Sequence, residues 1–170
     1  QKNPDNLVVD NGDFPYPPLS NNVHFEVEMV VAIGKGGSDI SVETALDHVY
    51  GYALGLDMTR RDLQGEAKKA GRPWEIGKAF EHCAPMTDIV TVKNAGHLAK
   101  GAIWLKVNGE VKQQSNVDQL IWNVPEIIAH LSKTFELKAG DLIMTGTPAG
   151  VGAIKRGDVM EGYCEGIGSI

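Results

Sequence analysis

The sequence is poor in cysteine and has no excess of positive charge. Cys83 and Cys164 are its only cysteines, and they lack the CxxC spacing of zinc or redox motifs. Two cysteines are too few for a disulfide framework, so we expect a reduced, cytoplasmic protein. Acidic residues outnumber basic ones by 22 to 16, which gives a net charge of -6. This balance argues against nucleic acid or an anionic membrane surface as a partner.

Long apolar runs and a secretory leader are also lacking. The longest uninterrupted apolar run, residues 29–33, is far shorter than the roughly 20 residues that cross a bilayer. The chain opens at Gln1 without a basic region followed by an apolar one, and we expect an incomplete chain rather than a processed one. Its 170 residues, 42% of them hydrophobic, suffice for one globular domain with a sizeable core.

Residue patterns predict more strands than helices. The predicted strands are residues 23–33, 50–57, 103–107, 110–114, 141–144 and 158–163, and the predicted helices are residues 41–48, 59–69 and 125–135. Asn108-Gly109 is the turn of a predicted β-hairpin. Residues 1–22, rich in proline and asparagine, are predicted to be an extended lead-in. Because no βα alternation recurs, the pattern predicts a mostly β, α+β roll rather than a doubly wound sheet.

Three carboxylates on two predicted strands could form a metal site. Alternation along residues 23–33 places Glu26 and Glu28 on one face, with attachment points about 6 to 7 Å apart. Asp57 closes the next predicted strand. Three converging carboxylates suit Mg²⁺ or Mn²⁺, with Ca²⁺ also compatible. The alternative is a solvated strand face with Asp57 capping the following helix, and the spacing does not decide between the two.

Four blocks of sequence resemble the fumarylacetoacetate hydrolase family in order and spacing. The blocks are HFEVEM (24–29), GYALGLDMTRRDLQ (51–64), KAF (78–80) and GTPAGVG (146–152). The resemblance implies a mixed β-sandwich roll of the type found in that family's C-terminal domain, usually a homodimer. It also implies that Glu26, Glu28 and Asp57 bind a divalent cation. Residues 57–69 and 71–74 look closest to the bacterial fumarylpyruvate hydrolases of gentisate breakdown.

The resemblance implies a reaction and further site residues. We expect metal-dependent hydrolysis of a carbon–carbon bond in a 3-acylpyruvate. The expected substrate is fumarylpyruvate, which would give fumarate and pyruvate. The rivals are an acylpyruvase, an isomerase or decarboxylase of the same family, and a non-catalytic, metal-stabilised dimerisation domain. Lys78 and Gln64 are the expected catalytic residues, and they bind substrate together with Arg61 and Thr147.

Each of these four residues also has a structural interpretation. Lys78 could be a surface lysine, and Gln64 could lie on a solvated helix face. Arg61 could pair with Asp62 or Glu66 instead of substrate. Thr147 lies in a glycine-rich turn whose amides and hydroxyl could bind a substrate carboxylate or could simply close the turn.

The chain departs from the family pattern at both ends. No motif here matches the family's N-terminal segment, with its His and Glu pair on a mobile lid, and we expect the last C-terminal strand to be lacking as well. We therefore expect residues 1–170 to be a single catalytic domain without that lid. The five histidines lack metal-binding spacing, so none is assigned as the catalytic base.

Overall fold

Short strands joined by turns make up most of the regular structure. The computed structural model describes residues 1–9 and 11–170, so Asp10, inside the predicted lead-in, lies outside the described residues. The strands are β1 (Leu7–Val8), β2 (Val23–Phe25), β3 (Val27–Ile33), β4 (Val49–Leu56), β5 (Thr59–Arg60), β6 (Ala84–Pro85), β7 (Val90–Thr91), β8 (Ala102–Val107), β9 (Glu110–Asn116), β10 (Leu142–Met144), β11 (Gly152–Ala153), β12 (Met160–Cys164) and β13 (Gly168–Ser169). The α-helices are α1 (Arg61–Lys69), α2 (Glu75–Lys78), α3 (Val92–Ala95) and α4 (Val124–Ser132), and 3-10 helices cover Pro4–Asn6, Ala45–His48 and Val117–Gln119. The predicted mostly β, α+β fold is confirmed.

The strands form several small sheets around one main hydrophobic core. One sheet has the order β10-β3-β4-β7, another β13-β12-β8-β9, and a third β11-β2-β5, all antiparallel. β1 pairs in parallel with β6. Every residue of β3 is buried, and Val31, Leu54, Leu105 and Ile128 join strands of two sheets and α4 in one cluster. Burial of this apolar surface is the main force that holds the sheets together.

The hairpin predicted from Asn108-Gly109 is confirmed. β8 and β9 flank these two residues, which both have positive φ angles of 52° and 80°. Two consecutive positive φ angles are the mark of a type I′ turn, whose twist matches that of the flanking strands. The turn therefore sets the register in which β9 runs back along β8.

The strand predicted over residues 23–33 is wrong in one respect, because it breaks at Glu26. β2 pairs with β5 and β11, whereas β3 pairs with β4 and β10. The Glu26 carbonyl accepts a hydrogen bond of 2.8 Å from the Asp57 amide at this point. The alternation of residue types shows which face of a strand is buried, but it does not show a change of pairing strands. The sequence around Glu26 therefore did not indicate the break.

Several predicted boundaries also need correction. In place of the helix predicted over 41–48, the structure has the 3-10 helix Ala45–His48. The helix predicted over 59–69 begins at Arg61, because Thr59–Arg60 pair with β2. The helix predicted over 125–135 covers Val124–Ser132. α4 starts early because Asn123 and Glu126 form a capping box. β10 and β12 occur where strands were predicted, with shifted ends. The lead-in is not wholly extended, since Pro4–Asn6 form a 3-10 turn.

Candidate metal centre

Three carboxylates meet where β3 and β4 run side by side. Glu26 lies at the break before β3, Glu28 lies within β3, and Asp57 directly follows β4. The antiparallel register that pairs Val27 with Leu56 brings the end of β4 beside Glu26. One oxygen from each carboxylate lies within 4.8 Å of the others, and the three residues are only 4–9% exposed. The structure thus brings together the three residues that the sequence predicted as metal ligands.

Lysine and arginine side chains surround two of these carboxylates. The Lys78 ammonium lies 2.8 Å from Glu26 Oε2 and 2.5 Å from Asp57 Oδ2. Arg61 Nη2 pairs with Glu26 Oε1, and Lys2 Nζ lies 2.8 Å from Asp57 Oδ1. Burial of Lys78 works against its charge, but Asp57 and Glu26 outweigh this effect and raise the pKa of Lys78 above its ordinary value. Lys78 is therefore cationic at neutral pH.

Glu28 differs from the other two carboxylates because no salt bridge reaches it among the described residues. Its Oε2 accepts a hydrogen bond of 2.7 Å from the Gly146 amide. Burial raises the pKa of Glu28 to about 7; Asp57 and Glu26 add to the rise, and the Gly146 amide and Lys78 oppose it. A nearby cation would favour the ionised form of this carboxylate.

The chemistry of the three side chains fits a divalent cation. Carboxylate oxygens are the ligands that Mg²⁺ and Mn²⁺ prefer, whereas zinc favours nitrogen and sulfur. Asp57 Oδ1 is buried and receives no directed hydrogen bond from the part of the chain that the structure describes, although Lys2 Nζ lies 2.8 Å away. Glu28 has spare acceptor capacity as well. The site therefore has buried oxygens whose hydrogen-bonding capacity is only partly used, as a metal site requires.

Arg61 and Gln64 lie together on the first turn of α1, beside the carboxylates. Arg61 donates to Gln64 Oε1 over 2.7 Å and also pairs with Glu26. The predicted alternative pairing of Arg61 with Asp62 or Glu66 is not what the structure shows. Asp62 instead accepts hydrogen bonds from the Ser20 hydroxyl and the Asn21 amide, which hold the lead-in against α1.

The position of Lys78 depends on the glycine before it. Lys78 ends α2, a short helix that the sequence did not predict. A Cβ added to Gly77 would lie 2.8 Å from both the backbone nitrogen and the Cβ of Gln64, too close for an ordinary contact. Glycine at position 77 therefore allows α2 to pack closely against α1. This packing brings Lys78 to the same site as Gln64.

Thr147 lies at the edge of the site, and its hydroxyl is already engaged. Thr147 Oγ1 donates to the Val27 carbonyl over 2.8 Å and accepts from Gln113 Nε2 over 2.8 Å. A substrate carboxylate would have to compete with the Val27 carbonyl for the hydroxyl proton. Binding of substrate by Thr147 remains a prediction.

The site also contains residues that the sequence pattern did not indicate. Lys2 reaches from the lead-in to Asp57 and donates to the carbonyl oxygens of Met58 and Lys78. The hydroxyl of Thr59 accepts a hydrogen bond of 2.9 Å from Lys78. Both contacts join residues distant in sequence, so no local periodicity reports them.

Comparison with known proteins identifies the family. Residues 1–170 match the family described as fumarylacetoacetate (FAA) hydrolase C-terminal. The chain belongs to the fumarylacetoacetate hydrolase family. It is 52% identical to a fumarylpyruvate hydrolase of Ralstonia sp over 169 residues, which cover 99% of this chain and 88% of the relative. It is 44% identical to the mitochondrial oxaloacetate tautomerase of Mus musculus over 154 residues, which cover 91% of this chain and 70% of the relative.

A solved structure supports the same placement. The fumarylpyruvate hydrolase of Pseudomonas aeruginosa, in complex with Mn²⁺ and pyruvate, is 50% identical, with a TM-score of 0.97 over 99% of this chain and 74% of that chain. The comparisons support an enzyme with hydrolase-type activity. None of the helices among residues 1–9 and 11–170 is long and apolar enough to cross a membrane.

Proposed function

We propose that the protein hydrolyses the carbon–carbon bond of a 3-acylpyruvate, with fumarylpyruvate as the preferred substrate and fumarate and pyruvate as products. The observation that carries this proposal is the cluster of three buried carboxylates within 4.8 Å, with Lys78 bonded to two of them. The 52% identical fumarylpyruvate hydrolase of Ralstonia sp, and the Mn²⁺ and pyruvate complex of the Pseudomonas aeruginosa enzyme, support the choice of substrate. Breakdown of gentisate is the pathway that this substrate suggests.

Glu26, Glu28 and Asp57 would hold the divalent cation, Mg²⁺ or Mn²⁺. When bound, the cation supplies Lewis-acid activation of the keto-acid end of the substrate. Glu28 must be ionised to act as a ligand, and its raised pKa couples that step to proton release. Glu26 and Asp57 are both paired with the Lys78 ammonium, so Lys78 lies beside two of the three proposed ligands.

Lys78 would stabilise the negative charge that develops as pyruvate leaves. Water would add its oxygen to the distal carbonyl carbon and give up a proton, and the bond to the pyruvate carbon would break. The pyruvate carbon would keep the electron pair and take up a proton, so that the acyl part leaves as an acid and the rest as pyruvate. The Lys78 ammonium is held by Glu26, Asp57 and Thr59, so it is oriented before the reaction begins. A preorganised cation of this kind lowers the barrier because it needs little rearrangement in the transition state.

Arg61 and Gln64 would orient the substrate. Both polar groups project from α1 beside Glu26, and Arg61 Nη1 is bonded to Gln64 Oε1 over 2.7 Å. A guanidinium matches the flat, two-oxygen geometry of a carboxylate, so Arg61 would bind one acid group of the substrate. Gln64 would then be free to donate its amide to a substrate oxygen.

A second candidate is the interconversion of keto and enol forms of oxaloacetate. The 44% identical tautomerase of Mus musculus favours this alternative. It would use the same carboxylates and Lys78 to move a proton next to a carbonyl without breaking a carbon–carbon bond. Release of pyruvate separates the two reactions, because only hydrolysis produces it from an acylpyruvate.

The test is an assay of the full-length protein with fumarylpyruvate in the presence of Mn²⁺. We expect pyruvate to form, as measured by coupled oxidation of NADH, and we expect a chelator or Asp57→Asn to abolish it. Acetylpyruvate in a parallel assay reports the preference for the acyl group, and the enol form of oxaloacetate reports tautomerisation. Tautomerisation without any pyruvate from either acylpyruvate would overturn the proposal in favour of the second candidate.

A further inference from the structure

β9 is an exposed strand with one fully buried residue, and that residue is polar. Gln113 has no exposed surface, whereas its neighbours Lys112 and Gln114 are exposed. The register between β8 and β9 shifts at this point. Leu105 pairs with Gln113 and Lys106 pairs with Val111, so Lys112 has no residue opposite it on β8. Such a bulge re-aims side chains and is common beside functional sites. Here it accompanies the inward orientation of the Gln113 amide.

The Gln113 amide is satisfied by three hydrogen bonds to distant parts of the chain. Its Oε1 accepts from the Val27 amide over 3.0 Å, and its Nε2 donates to Thr147 Oγ1 and to the Pro148 carbonyl, both over 2.8 Å. The Val27 amide can only donate and the Pro148 carbonyl can only accept, so the orientation of the side-chain amide is determined. Thr147 completes the link by donating to the Val27 carbonyl.

These contacts hold the backbone between two of the candidate ligands. Val27 stands between Glu26 and Glu28, and both of its backbone polar groups are bonded to Gln113 or Thr147. β10 covers the edge of β3 only from Val30 onwards, and β11 pairs only with β2. The side chains of Gln113 and Thr147 therefore make the hydrogen bonds to the Val27 backbone that a neighbouring strand would otherwise make.

Gln113 also holds the loop that contacts Glu28. The Gly146 amide donates to Glu28 Oε2 over 2.7 Å, and Thr147 and Pro148 follow directly in the same loop. A Cβ at Gly150 would collide with the carbonyl oxygen of Lys112, so the loop packs directly on the bulge. One buried amide thus connects the bulge, the loop and the backbone between Glu26 and Glu28.

We propose that Gln113 is a positioning residue for the metal centre. Through Val27 it fixes the separation of the Glu26 and Glu28 carboxylates, and through Thr147 and Pro148 it fixes the direction of the Gly146 amide. This inference rests on the proposed metal site. Gln113 would act through other residues, since its side-chain amide bonds to Val27, Thr147 and Pro148 rather than to the carboxylates. Loss of groups that orient metal ligands typically weakens metal affinity by about 10–100-fold.

The experiment compares Gln113→Met with Gln114→Met in the full-length protein. Methionine has a similar length to glutamine and no hydrogen-bonding amide, and Gln114 is the adjacent exposed position. The Kd for Mn²⁺ is measured by electron paramagnetic resonance, and hydrogen exchange of the Val27 amide is measured without metal. We expect Gln113→Met to bind Mn²⁺ at least about tenfold more weakly and to lose protection at Val27, while Gln114→Met matches the wild type in both measurements.

The possible results separate the inference from the proposed function. Wild-type protein that binds no Mn²⁺ would overturn the proposed metal site and this inference with it. A folded Gln113→Met protein with unchanged Mn²⁺ affinity would overturn the positioning role alone, even if its Tm falls. If Gln113→Met does not fold, the Mn²⁺ affinity of Thr147→Val is measured instead, because this substitution removes only the hydroxyl link between Gln113 and Val27. An unchanged Mn²⁺ affinity of Thr147→Val would also overturn the positioning role of Gln113.

Discussion

Replacement of Lys78 by methionine should separate the stability of the site from its chemistry. Without metal, the substitution removes the cation that lies 2.8 Å from Glu26 and 2.5 Å from Asp57, and among the described residues it leaves Lys2 and Arg61 beside them. The Lys78 side chain is 20% exposed, so this is a largely buried pairing. Breaking such a pair from one side costs about 3–5 kcal/mol. We expect a loss of that order in the free energy of unfolding of the metal-free protein.

Metal should reverse most of this loss. Lys78 and the divalent cation compete for the same carboxylates, so Lys78→Met should bind Mn²⁺ at least as tightly as the wild type. Turnover of fumarylpyruvate should nevertheless fall about 100-fold or more, since one preorganised group that stabilises developing charge is lost. The assays are urea unfolding with and without Mn²⁺, Mn²⁺ titration, and pyruvate release by the full-length enzyme.

The matched control is Lys138→Met, which removes an exposed ion pair with Glu136. Side chains that are 64% and 65% exposed should contribute less than about 1 kcal/mol, and turnover should not change. Wild-type turnover by Lys78→Met would refute the chemical role of this residue. Equal destabilisation with and without Mn²⁺ would refute the competition between Lys78 and metal.

Three further predictions concern pH, packing and assembly. Because the pKa of metal-free Glu28 is raised to about 7, this group contributes to stability below its ordinary pKa and loses that contribution as the pH rises through about 7. The Tm of Glu28→Gln should therefore rise relative to that of the metal-free wild type between about pH 5 and pH 8. A difference in Tm between the two proteins that does not change with pH would contradict the raised pKa. Gly77→Ala should lower the free energy of unfolding by about 1–3 kcal/mol because its methyl group would strike Gln64. Gly65→Ala, in open space on α1, should raise it by about 0.5–1 kcal/mol. Equal effects of the two substitutions in thermal unfolding would refute the packing explanation. A homodimer is expected by light scattering, and a monomeric mass for the full-length protein would contradict it.

The sequence predicted the parts of the fold that depend on neighbouring residues. The Asn108-Gly109 turn was correctly predicted because its backbone angles are a property of those two residues. Glu26, Glu28 and Asp57 were expected to converge, and they do. Spacing alone left a solvated strand face open as the alternative, and the resemblance to a family, rather than the spacing, favoured the metal site.

The features that the sequence did not predict depend on contacts between distant residues. The break at Glu26 follows from a change of strand partners, which residue alternation does not record. Lys2 lies in a segment without periodicity, yet it reaches Asp57. Gln113 stands in a polar strand whose pattern gives no reason to expect a buried glutamine. In each case the partner is set by the packing of sheets and loops.

The most direct test of the metal centre is an anomalous difference map from crystals of the full-length protein grown with Mn²⁺. We expect one strong peak within about 2.0–2.6 Å of a carboxylate oxygen from each of Glu26, Glu28 and Asp57, with the Lys78 ammonium still beside the site. Absence of a peak at these carboxylates at millimolar Mn²⁺, or a peak bound by other residues alone, would contradict the assignment.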